Sequence, residues 1–100
     1  MLYPPLITVY TKPEDARPAC QQCNATKRKL DALTTDGALR RYLSVDVTDP
    51  ANASAVAMLE ARGVRQTPYV IVTQEEGGVG TTELDAWGGF VPDKLVEWAR

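Results

Sequence analysis

The stretch LITVYTKPEDARPACQQCNATKRKLDALTTDG, residues 6–37, decides the fold. Its first six residues, Leu6–Thr11, are rich in β-branched and aromatic side chains and are bounded by Pro5 and Pro13, so they read as a strand. From Cys20 to about Thr34 the pattern becomes helical. Cys23, Leu30 and Leu33, with Ala19 or Thr26 between turns, share one face, while Lys27, Arg28, Lys29 and Asp31 fill the others. Gly37 closes the helix. The only two cysteines of the chain, Cys20 and Cys23, therefore stand three residues apart at the start of a helix that follows a strand.

Outward from this unit, Leu39 to Val47 is a second extended segment, in which Leu43, Val45 and Val47 alternate with polar residues. TDPANASAVAMLEARG, residues 48–63, reads as a helix with Asp49 as N-cap, Pro50 in the first turn and Gly63 as C-cap. Its buried stripe is Val56 and Leu59, with Ala55 and Met58 beside them. Tyr69 to Thr73, YVIVT, is the most apolar run and the central-strand candidate. EEGGVG is a turn, Thr81 to Ala86 an antiparallel partner strand, and Pro92 opens a last helix carrying Leu95, Trp98 and Ala99. The order βαβαββα predicts an α/β fold: a four-stranded mixed sheet with three flanking helices on its two faces.

Composition narrows the class. One hundred residues predict one domain, and 44% hydrophobic residues are ordinary for a globular one. No apolar run is long enough to span a membrane. MLYPPLITVY lacks a basic start, a sustained apolar stretch and a small-residue cleavage site, so no secretory signal is read and a cytoplasmic location is expected. A net charge of −2 argues against a nucleic-acid binder. Two cysteines do not make a disulfide framework, and the absence of histidine excludes most zinc sites, so neither a metal nor a bound cofactor is expected.

The Cys-x-x-Cys spacing itself carries chemistry. Residues three apart on a helix share a face, so the sulfurs of Cys20 and Cys23 can meet. The first sulfur lies near the unpaired N–H groups and the positive end of the helix dipole, which favours thiolate. The second lies a turn deeper. Cys20 is thus the expected nucleophile and Cys23 the resolving thiol of a thiol-disulfide exchange. Lys12, with Arg17 and Lys27, is a candidate to stabilise the thiolate; Lys12 is equally readable as a solvated loop residue. Pro68 stands directly before the most buried strand, a position that tolerates proline.

VYTKP, ACQQCNATKRKLD, TPYV and WGGFVPDKL together resemble the glutaredoxin-like NrdH-redoxins of the thioredoxin fold, over most of the chain. CQQCNATK and the segment Trp87 to Asp93 are the most specific parts, although Gly88 and Val91 stand where the family has serine and arginine. The resemblance implies a thioredoxin/glutaredoxin fold and a redox-active Cys20–Cys23 disulfide. It implies a monomeric hydrogen donor to the large subunit of class Ib ribonucleotide reductase, re-reduced by thioredoxin reductase. It further implies a cis Pro68, with Thr67 docking the partner's cysteine-bearing tail. Partner-facing positions would be Lys12, Gln21, Gln22, Thr67, Pro68, Trp87, Gly88, Gly89 and Phe90.

Family members run from TKP almost directly into the cysteine motif, whereas this chain inserts EDARP. Glu14 and Asp15 should oppose a nearby thiolate and Arg17 favour it. The insert is either a partner contact or a solvated loop that tolerates insertion. A glutathione-dependent glutaredoxin is the alternative. Gln21 and Gln22 do not match its usual proline and aromatic, and the acidic pair expected after Gly88 and Gly89 is absent. An inert interaction module and a redox sensor are further alternatives that the sequence leaves unmarked.

Overall fold

A computed structural model describes residues 5–75 and 80–99. Strands β1 (Leu6–Thr11), β2 (Tyr42–Asp46), β3 (Tyr69–Glu75) and β4 (Thr81–Gly88) alternate with helices α1 (Gln21–Thr35), α2 (Ala53–Ala61) and α3 (Pro92–Trp98). The sheet order is β2-β1-β3-β4. β1 runs parallel to β2 and antiparallel to β3, and β3 runs antiparallel to β4. This is the mixed sheet with three helices that the element order predicts.

Alternation along β1 turns Ile7, Val9 and Thr11 to one face, and all three are buried. Register extends that face across the sheet: Val9 pairs with Val70 and Val70 with Trp87, while Ile7 pairs with Val72. Leu30 and Leu33 of α1, Leu95 of α3 and Ala99 just past it close over this row to form the main core. The opposite layer is thinner. Ile71 and Leu59 of α2 are buried outside the main cluster, and Arg62, just past α2, stands 5.6 Å from the Tyr69 ring centroid on that side. Val70, Ile71 and Val72 are therefore buried on both faces, which explains why YVIVT reads as an apolar run rather than an alternation.

Local signals place the ends. Gly37 (φ +81°) ends α1 in the left-handed conformation. Its N–H donates to Thr34 O, and that of Leu39 to Leu33 O, tucking Leu39 into the core. The Asp49 carboxylate accepts from the Ala51 N–H at 2.9 Å, but the helix it caps differs from the expected one. Pro50–Asn52 form a single 3-10 turn, and the α-helix begins only at Ala53.

Two expectations are corrected. The second strand is Tyr42–Asp46 rather than a segment reaching from Leu39 to Val47. Within it Leu43 is 41% exposed, because β2 is an edge strand and its outward face is the thinner layer. β4 continues to Gly88, two residues past the expected end, because Tyr69 still pairs there. The expected EEGGVG turn lies largely outside the described residues. Among the described residues no helix is long and apolar enough to cross a membrane.

Candidate active site

β1 delivers the chain to the top of the sheet, and the loop of residues 12–19 carries it to the first turn of α1. Cys20 is the N-cap of α1, with extended backbone (φ −99°, ψ 90°). Its Sγ accepts the Cys23 N–H at 3.3 Å, so the sulfur takes the position that a serine or aspartate oxygen takes at an ordinary helix start. Cys23 lies one turn inward, fully buried, and the two sulfurs form a disulfide with Cα atoms 5.2 Å apart. Cys20 remains partly exposed. A single helical turn thus makes the two sulfurs unequal: one stands among free N–H groups at the surface, the other is shielded beneath it.

The loop before β3 supplies the facing wall. The Thr67–Pro68 peptide bond is cis, and both the carbonyl oxygen and the Oγ1 of Thr67 lie 3.7 Å from Cys20 Sγ. Among the described residues Thr67 makes no backbone–backbone hydrogen bond. Its main chain is therefore free to pair with an extended segment laid beside the disulfide. The Pro68 ring is fully buried, and its carbonyl accepts from Gly89 N–H at 2.8 Å.

That hydrogen bond brings in the third segment, Gly88–Gly89–Phe90, which runs from the end of β4 toward α3. Gly89 has φ +83°, a conformation that side chains rarely adopt. Phe90 N–H donates to the side-chain Oε1 of Gln22 at 3.2 Å. The sequence motifs are thus linked: Thr67 lies against Cys20 Sγ, Pro68 is hydrogen-bonded to Gly89, and Phe90 is hydrogen-bonded to Gln22 of the cysteine turn. Gln21 and Gly88 are exposed, and Phe90 shows 37% of its surface. Trp87 is the exception and a correction. It is only 8% exposed, because its pairing with Val70 turns the indole toward α1 and α3, where Lys94 Nζ lies 5.2 Å from the ring centroid. It supports the site from the core and presents little surface to a partner.

The charged candidates divide. Lys27 Nζ donates to the Lys12 carbonyl at 3.0 Å, so this ammonium fastens the end of β1 to α1. Arg17 donates to Asp15 O and Ala16 O of its own loop, and Ala16 N–H to Pro13 O. The insert is therefore a self-bonded, exposed loop, with a second cis bond at Arg17–Pro18. Lys12 faces an open groove of about 860 Å³ that ends at Cys20 and Thr67. Val47, Val56, Leu59 and Val64 give it apolar walls, and Glu60 and Arg65 stand at its margin. Sequence reasoning missed this groove and the Gln22–Phe90 link. Val56, Leu59 and the pair Gly63–Val64 after α2 were legible only as core and cap, and a bond spanning residues 22 to 90 has no local signal. Among the described residues no cluster of acidic residues and cysteines is placed to hold a metal.

An N-cap cysteine disulfide-bonded to a buried partner, beside a cis-proline loop with unpaired backbone and an apolar groove, defines a thiol-disulfide oxidoreductase of the thioredoxin fold. Residues 7–76 match the glutaredoxin family model, and the chain belongs to the glutaredoxin family. Among solved structures it resembles thioredoxin-2 of a malaria parasite, described as a component of the protein secretion machinery (TM-score 0.65, 18% identity, 94% of this chain and 79% of that one). It also resembles chloroplastic thioredoxin z (TM-score 0.61, 14% identity, 96% and 75%). A third similar structure is that of a malarial protein (TM-score 0.56, 15% identity, 96% and 93%). No curated protein matches the chain.

Proposed function

We propose that this protein is an NrdH-redoxin: a monomeric, cytoplasmic dithiol that donates electrons to the large subunit of class Ib ribonucleotide reductase and is itself re-reduced by thioredoxin reductase. Its electrons are carried by the Cys20–Cys23 pair, with no bound cofactor or metal.

The steps follow from the site. The Cys20 thiolate, held by the Cys23 N–H and the first turn of α1, attacks one sulfur of a client disulfide. A Cys20–client disulfide forms and one client thiolate leaves. Cys23, deprotonated, attacks Cys20 Sγ, closing the intramolecular disulfide and expelling the second client thiolate. Two electrons pass to the client, whose two thiolates take up two protons. Thr67 offers its backbone to the client segment, and the apolar groove takes side chains beside the client's cysteine. An external dithiol reverses the sequence.

The observation that carries the choice of electron source is at Gln22. The paired glycines Gly88 and Gly89 resemble part of a glutathione site, but the adjoining Phe90 N–H is already taken by the Gln22 carboxamide. CQQCNATK and WGGFVPD support the same reading. The match to the glutaredoxin family supports the second reading, a glutathione-dependent glutaredoxin. Oxidised protein with NADPH and thioredoxin reductase, or with NADPH, glutathione and glutathione reductase, separates the two. NADPH loss only in the first mixture, followed by support of class Ib ribonucleotide reductase turnover, is the expected result. Loss only in the second overturns the proposal in favour of the glutaredoxin reading.

A further inference from the structure

Hydrogen bonds join three segments, the cysteine turn, the proline loop and the loop after β4, and one side chain ties the cysteine turn to the aromatic loop. Gln22 lies between the two cysteines and is exposed, so the core does not fix it. Its Oε1 accepts the Phe90 N–H, 68 positions away, at 3.2 Å. The same oxygen lies 2.9 Å from the point where a Cβ on Gly89 would stand, so the loop approaches it closely because residue 89 has no side chain. On its other side, Gly89 N–H donates to Pro68 O at 2.8 Å. The Gly88–Phe90 segment is therefore held from both directions, by the proline loop and by the cysteine turn. What it presents outward is the Phe90 side chain, one of the three exposed large apolar residues among those described. The other two, Leu43 and Leu84, lie on β2 and β4, the two edge strands.

We infer that Gln22 is a positioning residue for client recognition: it latches the loop so that Phe90 is presented to an apolar side chain next to the client's reactive cysteine. This rests on the oxidoreductase reading above and adds how the site selects protein clients. The latch acts through Phe90, so it matters more to protein disulfides, which cover the loop, than to small disulfides that do not reach it.

The test uses dithiothreitol-driven reduction of insulin and of a small symmetrical disulfide by five proteins: wild type, Gln22→Met, Gln22→Glu, Phe90→Ala and the Gln22→Met/Phe90→Ala double variant. Gln22→Met keeps length and bulk but loses the acceptor; Gln22→Glu restores one. The expected result is a KM for insulin raised about threefold to fivefold by Gln22→Met, the factor that one neutral hydrogen bond supplies. Each insulin KM is compared with the KM of the same variant for the small disulfide, so that a general effect on the cysteine pair cancels; the ratio rises in Gln22→Met and Gln22→Glu recovers it. Phe90→Ala gives the same effect, and the double variant is no worse than Phe90→Ala alone, because the two act as one unit. Additive effects, or an unchanged insulin KM in Gln22→Met, overturn the inference. Hydrogen exchange at the Phe90 amide reads the latch independently of activity. Protection in wild type that is lost selectively in Gln22→Met supports it, and equal exchange in both refutes it. A wild-type protein that reduces neither disulfide contradicts the oxidoreductase reading, while the exchange experiment still decides the latch.

Discussion

Replacing Gly89 by alanine should damage the site in two separable ways. The residue has φ +83°, and placing a Cβ in the left-handed region costs roughly 1 kcal/mol. The new methyl would also stand 2.9 Å from Gln22 Oε1. That oxygen ends a flexible side chain, so it can move, but moving it breaks the hydrogen bond to Phe90 N–H. At an exposed position such a bond is worth about 0.5–1 kcal/mol. Gly37 supplies the control, with φ +81° and nothing within 4 Å of its added Cβ. Gly37→Ala should therefore cost about 1 kcal/mol, and Gly89→Ala about 1.5–2 kcal/mol. Urea unfolding of the oxidised proteins, with equal m values, measures the difference. In a Gln22→Met background the excess at Gly89 should vanish, since no acceptor remains to be displaced. Equal costs at the two glycines, or an excess that persists without the Gln22 acceptor, would refute the reasoning.

Other outcomes follow from the same geometry. Thr67→Val removes a hydroxyl 3.7 Å from Cys20 Sγ and with it a donor to the thiolate. The Cys20 pKa should rise, and iodoacetamide alkylation should slow about twofold to fivefold at mildly acidic pH while converging with wild type at alkaline pH. Leu30 is fully buried between α1 and the sheet, so Leu30→Ala should cost about 2–5 kcal/mol in urea unfolding. Asp85 accepts from Trp98 Nε1, Lys94 Nζ and the Ala86 N–H, and the first two chiefly hold its pKa below the ordinary carboxylate value. A lowered folded-state pKa contributes stability that is present above the unfolded value and lost as pH falls through the folded one. Asp85→Asn should thus be less stable than wild type at neutral pH, and the gap should close only in the acid range below the normal aspartate pKa of 3.8. A gap that is constant down to strongly acidic pH would show that the charge is not responsible.

Much of this was legible because local rules and global fold agree. The β-branched run at Leu6–Thr11, the switch to helical period after Cys20 and the apolar YVIVT were sufficient to order the elements along the chain, while the strand order of the sheet came only from the structure. The cysteine pair was legible as chemistry because spacing and helix position alone separate the two sulfurs. What escaped is non-local. Leu43 reads as one of an alternating apolar set, but its 41% exposure follows from its strand lying at the sheet edge beneath the thin layer, and edge position is not written in five residues. Trp87 reads as a surface aromatic by resemblance, and only the register with Val70 turns it inward. Lys27 was a candidate for the thiolate until the Lys12 carbonyl claimed it. The inserted Glu14–Pro18 loop satisfies part of its own hydrogen bonding through Arg17, which no local sequence pattern announced.

The most direct test of the central claim is to trap the exchange intermediate. Cys23→Ser protein, reduced and mixed with a disulfide-bonded client, should accumulate a stable one-to-one adduct, and peptide mass spectrometry should place the link at Cys20. Cys20→Ser should form none, because Cys23 is fully buried. An adduct through Cys23, or no adduct from the Cys23→Ser protein, would contradict the assignment of Cys20 as the attacking sulfur.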